Sequence, residues 1–425
     1  MKFLGILGIV LILLISFLMS NNKRKINLKT VIVGLLLQIG LGVFILKIPF
    51  GQKMFATLGA GIEKLLEFSL EGGNFVFGFL TSNPEKLSDI FGDTAFIFAL
   101  QLIATFIFVM MFVNILYYYG IMQRVVAALG KIMNKLLDIS GAEALSNVAS
   151  PFVGQVSAQM MIKQYLPNLT KSEILTSMSG SMACISVGVM AIYVGMGIPA
   201  EYLLAASIMA IPGGIVIAKI VHPEVDEPET KKTVKISKRR TSVNVIDAIA
   251  KGASEGMKVS LNVIAMLIAL VALIAMIDFI LAKIGLFMAN ACHMNFSAIG
   301  IDLTNLSMKV LVGKIFAVFA WAMGVVWQQA DIVGQLMGTK MILNETIAYT
   351  DLMNVKEMIS DKSFIIATFA LCGFANFGSV AMQIGGIGEI APNIRKNLSR
   401  FGIKALICGT LASYMSACIA GILLS

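Results

Sequence analysis

The chain has 425 residues, 58% of them hydrophobic and only 13% charged, with a mean hydropathy of +0.87. Soluble domains carry about 25% charged residues, so this composition excludes a soluble globular protein and specifies a polytopic membrane protein. The net charge of +9 does not indicate nucleic acid, because the basic residues form short clusters between apolar stretches, as in cytoplasmic membrane loops.

Apolar stretches of roughly 20 residues, enough to span a bilayer as helices, recur along the chain. The first is expected at about 3–20. It reads as a retained helix, because it lacks a small-x-small cleavage site and Lys23-Arg24-Lys25 follows the apolar run. The second is expected at about 30–48, ended by Pro49. Lys23, Arg24, Lys25 and Lys29 place the intervening loop inside and the N-terminus outside. Residues 51–68 predict an amphipathic surface helix, with Met54, Phe55, Leu58 and Ile62 on one side and Lys53, Thr57, Lys64 and Glu67 on the other. A third span is expected at about 94–119, returning inside at Arg124, Lys131 and Lys135.

Residues 143–166 are too polar for a span and are broken by Pro151 and Gly154, which predicts a hairpin entering and leaving on one side. Such backbone survives at membrane depth only when buried in protein or lining a cavity. The next span, about 173–195, has Ser179-Gly180-Ser181 and Cys184-Ile185-Ser186-Val187-Gly188 at its centre. Two readings stand there: close packing through small side chains, or an unwound stretch offering carbonyls to a ligand. A fifth span is expected at about 201–220, followed by the hydrophilic linker 222–243.

A partly polar helix is expected near 244–257 and a long span at about 259–283. Residues 308–340 again read as a hairpin, with Trp327-Gln328-Gln329 near its tip. A span at about 363–385 holds Cys372-Gly373-Phe374-Ala375-Asn376, and a last span at about 402–424 ends outside. The halves rhyme: each has a Gln-bearing hairpin, a span rich in small polar residues, a Gly/Pro turn and a final span. The charge clusters open the first hairpin inside and the second outside. Interrupted segments at matching places of such an inverted repeat point to a transporter's midplane site.

No catalytic signature accompanies this pattern, and the chain is not read as an enzyme. There is no nucleotide-binding Gly loop, and His222 and His293 read as loop residues. The spacing of Cys184, Cys292, Cys372, Cys408 and Cys418 suits neither a metal site nor a disulfide framework.

The most informative stretch is Gly338-Thr-Lys340-Met-Ile-Leu-Asn344-Glu345-Thr346-Ile347-Ala348, which keeps charge in an apolar half of the chain. It resembles the concentrative nucleoside transporter signature Gly-x-Lys-x3-Asn-Glu-Phe-Val-Ala, with Thr346 for Phe and Ile347 for Val. The similarity extends to the Gly154-Gln155 tip, to Ala205-Ala206-Ser207-x-Met209-Ala210-x-Pro212-Gly213-Gly214, and to Leu371-Cys372-Gly373-Phe374-Ala375-Asn376. The resemblance implies an all-α fold of eight transmembrane helices with two opposed re-entrant hairpins, assembled as a homotrimer in the bacterial inner membrane. It implies nucleoside symport with sodium or protons and no cofactor. It also implies a scaffold (1–135 and 259–285), two transport repeats (136–221 and 286–425) and a basic cytoplasmic linker (222–258).

Carried over residue by residue, the resemblance places substrate contacts at Gln155, Val156, Ser157, Gln329, Phe374, Asn376 and Ser379. The family's Glu at the first tip is Ser157 here, and its Glu in Trp-Asn-Glu-Ala is Gln329. Gln both donates and accepts, but without charge assistance its bond is roughly half as strong. The expected pocket is therefore less anionic. A modified nucleoside, a nucleobase or another neutral solute stands as an alternative substrate, and a passive channel as an alternative activity.

Sodium-coupled members carry an Asn and a Ser where this chain has Ser150 and Cys184. A thiol is a poor ligand for a hard cation, though carbonyls near Ile185 could serve. Glu143 and Glu345 match two further family glutamates and are the candidates for coupling. This favours protons over sodium. For Glu345, an ion pair with Lys340 is the structural alternative to a gating or coupling role.

Overall fold

The computed structural model describes residues 2–78, 80, 97–231, 242–290 and 303–424. Among them every regular element is a helix. Helix α1 (Lys2–Leu18) is followed by α2 (Leu28–Leu46), whose first amides are capped by the side chain of Asn27. Pro49 does not merely end α2: it opens α3 (Pro49–Phe77), where its missing N–H and fixed φ cost nothing. The amphipathic helix is therefore longer than the expected 51–68. Helix α4 (Phe98–Tyr118) turns at Gly120, φ +72°, into α5 (Ile121–Leu137). The expected start of this span at 94 lies outside the described residues.

The first hairpin is α6 (Gly141–Val153) and the short α7 (Ser157–Met160), with Gly154 at φ +91° between them. Pro151 sits within α6. Ser140 and Glu143 form a capping box that opens α6, and Thr170 and Glu173 form another that opens α8 (Lys171–Ala183). After a break, α9 (Val187–Gly195) continues the path, and α10 (Ala200–Val221) follows Pro199. His222 follows α10 as a loop residue, as expected, but a buried one with its ring edge-on to Phe401. His293 and Cys292 lie outside the described residues.

Helix α11 (Val245–Asn290) corrects the expected division into a polar helix and a separate span: it is one helix of 46 residues. Polarity changes along it, but no Pro interrupts it, so the backbone has no reason to stop. The second hairpin is α12 (Met308–Ala322) and α13 (Trp327–Ile342). Asn344 then caps α14 (Glu345–Asn354). The expected single span at 363–385 is α15 (Asp361–Leu371), a break and α16 (Phe377–Ile390); α17 (Arg395–Leu423) ends the fold.

Six helical segments among the described residues are long and apolar enough to cross a membrane, with 171–195 taken as one path. Helix α1, at 17 residues, and the separate helices α15 and α16, at 11 and 14 residues, are each shorter than these.

Small residues bring the helices together. Gly252 and Gly256, one turn apart on α11, lie against α4 so closely that an added Cβ would come 2.5 Å from Met111 Cα and 2.5 Å from Phe106 O respectively. This is the small-xxx-small approach that membrane helices use in place of a hydrophobic drive. Gly214 of α10 and Gly409 of α17 pack on α8 in the same way, at Gly180 and Met182. Four free cysteines (Cys184, Cys372, Cys408 and Cys418) are buried.

Candidate functional site

The site is built where the two broken paths cross. Helix α8 ends at Ala183 and α15 at Leu371, and each leaves terminal carbonyls without intrahelical donors. The breaks answer one another. Phe374 N–H donates to Cys184 O at 3.3 Å. Ser413 Oγ, on α17, lies 2.7 Å from Cys372 O and 3.2 Å from Ala183 O. Ile185 N–H donates to Ser207 Oγ at 3.4 Å, and Ser207 Oγ contacts Cys372 Sγ at 3.4 Å. Gly373 sits at φ +135°, and a Cβ there would lie 2.8 Å from Ala183 O, so only glycine permits this approach. Of the two readings of 179–188, the structure gives the unwound stretch, with small residues packing beside it.

From the second break a chain of polar side chains runs in both directions. Asn376 caps α16 by accepting from Ser379 N–H at 2.8 Å, and its Nδ2 donates to Glu345 Oε2 at 2.8 Å. Glu345 Oε1 accepts from Tyr193 OH at 3.1 Å. On the other side, Gln155 Nε2 donates to Ser379 Oγ at 3.3 Å, and Gln155 Oε1 accepts from Gln383 Nε2 at 3.1 Å. Val156, beside it at the tip, packs on Gly386: a Cβ there would be 2.7 Å from Val156 Cγ1. The first hairpin tip thus rests on α16, and Gln155, Ser379, Asn376 and Glu345 form one connected set. Phe374 is buried at the break itself.

The other expected site residues stand apart from this chain. Ser157 is exposed. Gln329 is half-buried, and its Oε1 accepts from Ser360 N–H and Oγ, both at 3.3 Å, at the start of α15. Ser150 Oγ donates to Ser146 O at 2.8 Å and lies 2.8 Å from Ser181 Oγ, which in turn meets Gln159 Nε2 at 3.2 Å. Cys184 Sγ donates to Gly180 O at 3.4 Å. Glu143 accepts from Ser140 N–H at 3.0 Å and pairs with Lys219 at 2.5 Å.

The proposed ion pair between Lys340 and Glu345 is not formed. Lys340 is buried and donates to Ala370 O at 2.9 Å. There it serves the carbonyl end of α15, where the helix dipole favours a cation.

Sequence reasoning missed Gln383 and Tyr193 as members of the site. Gln383 is a buried amide in a half-helix of mostly small and apolar residues, where polar side chains are costly and usually functional. That signal was available. Tyr193 gave none, since its hydroxyl matters only once α9 is known to meet α14.

Two broken helices crossed at their breaks, with a polar hairpin tip seated on one of them, define an all-helical membrane transporter. Residues 202–421 match the family described as Na+ dependent nucleoside transporter C-terminus, 7–80 the corresponding N-terminus, and 99–200 the nucleoside-recognition gate. The chain belongs to this family, the concentrative nucleoside transporters.

It is 37% identical to nucleoside permease NupC of Helicobacter pylori, over 98% of this chain and 97% of that one. It is 39% identical to an uncharacterized transporter of Haemophilus influenzae, with the same coverage. The solved structure of CNTnw in an inward-facing substrate-bound state superposes with a TM-score of 0.91 at 36% identity, covering 100% of this chain and 98% of that one.

Proposed function

We propose that this chain imports nucleosides across the cytoplasmic membrane by proton symport, with the substrate held beside α16 and Glu345 as the proton-carrying group. The observation that carries this reading is the bond from Asn376 to Glu345. A substrate that draws on the Asn376 amide alters the surroundings of the carboxylate directly, which is what coupling requires. Gln155, Val156, Phe374, Asn376 and Ser379 are the substrate-facing set. Gln329 and Ser157 join it only when the hairpins rearrange.

The family description names sodium. Here the candidate ligand Ser150 is engaged with Ser146 and Ser181, and Cys184 offers sulfur where a hard ion needs oxygen. This supports protons over sodium. Glu143, tied to Lys219, is read as structural.

The two hairpins are read as re-entrant from opposite faces and as halves of an inverted repeat (136–221 and 286–425). These move against a scaffold that includes α4 and α11, within a homotrimer whose chain termini face outward. A second reading keeps the mechanism and changes the ligand. It is favoured by the neutral residues Ser157 and Gln329 where the resemblance implies carboxylates, and it takes a modified nucleoside or nucleobase.

Uptake of labelled uridine and adenosine into proteoliposomes tests the proposal. Saturable uptake that collapses when the proton gradient is dissipated supports it. Sodium-dependent uptake indifferent to that gradient, or a Glu345→Gln variant that transports normally at every pH, overturns the coupling role.

A further inference from the structure

A cavity of about 640 Å3 lies between the scaffold helices and the turn side of the transport helices, lined by Gln101 of α4, Leu267 and Val271 of α11, Met196, and Thr346 and Thr350 of α14. Met196 follows α9 in the turn before α10, at the end of α10 opposite the basic linker. The charge rule that sets the linker inside therefore sets this cavity at the outer face. With Gln101, Thr346, Thr350 and Asn354 as polar partners it is roomy and polar enough to hold water, which occupies roughly 30 Å3 per molecule.

Among the described residues, Thr346 alone belongs both to this cavity and to the buried polar chain. Its Oγ1 lies 3.2 Å from Tyr193 OH, which donates to Glu345 Oε1 at 3.1 Å. Since Tyr193 donates to the carboxylate, Thr346 is the donor of the other bond. The family signature quoted above has Phe at this position, so the hydroxyl is a feature of this chain.

We propose that Thr346 and Tyr193 form a two-hydroxyl relay that delivers protons from the outer cavity to Glu345. This rests on the reading of Glu345 as the coupling group. Hydronium in the cavity gives a proton to Thr346 Oγ1 and reverts to water. Thr346 passes its own hydroxyl proton to the Tyr193 oxygen, and Tyr193 passes its proton to Glu345 Oε1. One proton leaves the cavity, one carboxylate becomes a carboxylic acid, and both hydroxyls are restored.

Lys340 of α13 faces Glu345 electrostatically, and Cys372 between α15 and α16 faces Tyr193. Tyr349 of α14 stacks on Tyr193 with ring centroids 4.5 Å apart, while its own hydroxyl donates to Thr368 O at 2.9 Å. Tyr349 is therefore turned away from the relay, and Lys340 is committed to Ala370.

The test uses the full chain in proteoliposomes with a pH-sensitive dye inside and uridine outside. Thr346→Val keeps the shape and removes the hydroxyl; Thr346→Ser keeps the hydroxyl. Thr346→Val and Tyr193→Phe are expected to slow uridine-driven acidification at least tenfold. Thr346→Ser is expected to stay within twofold of the parent, and uridine affinity in detergent to change less than threefold in the two Thr346 variants. If Thr346→Val acidifies at the parental rate while Glu345→Gln does not, the relay is wrong and the coupling reading stands. If the parent takes up uridine without acidification, the coupling reading falls and the relay with it. Equal loss of uridine binding in Thr346→Val and Thr346→Ser makes the residue structural and overturns the relay.

Discussion

Asn376 commits both ends of its amide: Nδ2 donates to Glu345 Oε2 at 2.8 Å, and Oδ1 accepts from Ser379 N–H at 2.8 Å. The only buried carboxylate joined to the proposed substrate-facing set, among the described residues, is thus held by a residue that also opens α16. Asn376→Asp keeps the cap but sets two carboxylates against each other. It is expected to lower uridine affinity at least tenfold with little change in helix content, read by calorimetric titration and circular dichroism.

Gln383 fixes Gln155 through its Nε2 at 3.1 Å. Gln383→Leu leaves the Gln155 carbonyl without that donor, at a cost of about 1–3 kcal/mol if nothing replaces it. Uridine KM is expected to rise several-fold while the maximal rate changes little. An unchanged KM would mean that Gln155 is positioned by Ser379 alone.

Gln329→Glu combined with Ser157→Glu restores the two carboxylates that the resemblance places in the pocket. Affinity for common nucleosides is expected to increase, because charge-assisted bonds are roughly twice as strong as neutral ones. Unchanged or lost binding in equilibrium measurements would place the pocket elsewhere.

Gly373→Ala meets Ala183 O at 2.8 Å from a backbone angle that L side chains rarely adopt. The strain is of order 1–3 kcal/mol. The thermal midpoint in detergent is expected to drop by several degrees, and transport to fall with it. Lys219→Met offers a contrast: it leaves Glu143 buried without its cation, and removing one partner of such a pair costs about 3–5 kcal/mol.

Beyond the end of α10, burial and the nearby Lys404, Lys171 and Lys219 hold the His222 imidazole below its usual range. The unfolded chain therefore binds the proton first as pH falls. The stability this neutral ring contributes is whole above about pH 6.5 and is lost as pH drops through the lower folded value. The thermal midpoint is expected to fall less between pH 7.5 and 5.5 in His222→Gln than in the parent.

Much of this architecture was legible in the sequence, because bilayer-length apolar runs and their interruptions are local signals. Pro151 and Gly154 mark the first hairpin, whereas 363–385 reads as one span and its break at 373–376 is seen only in the structure. Helix α11 reads in sequence as two pieces because its polarity changes along its length, yet no Pro interrupts the backbone and the helix runs on. The partners of Lys340 and Glu345 were out of reach. They are five residues apart in sequence, yet one reaches Ala370 and the other Asn376 and Tyr193. Such choices are made by tertiary packing. Ser150 and Ser181 show the same limit, since their mutual bond closes a place that reads as open in one dimension.

The crossing of the two broken paths has a further consequence. The amide of Phe374 and the carbonyls of Ala183, Cys184 and Cys372 are answered by one another or by Ser413. The junction is its own solvent. In the proposed movement of the transport repeats it keeps these bonds and has no hydration shell to shed.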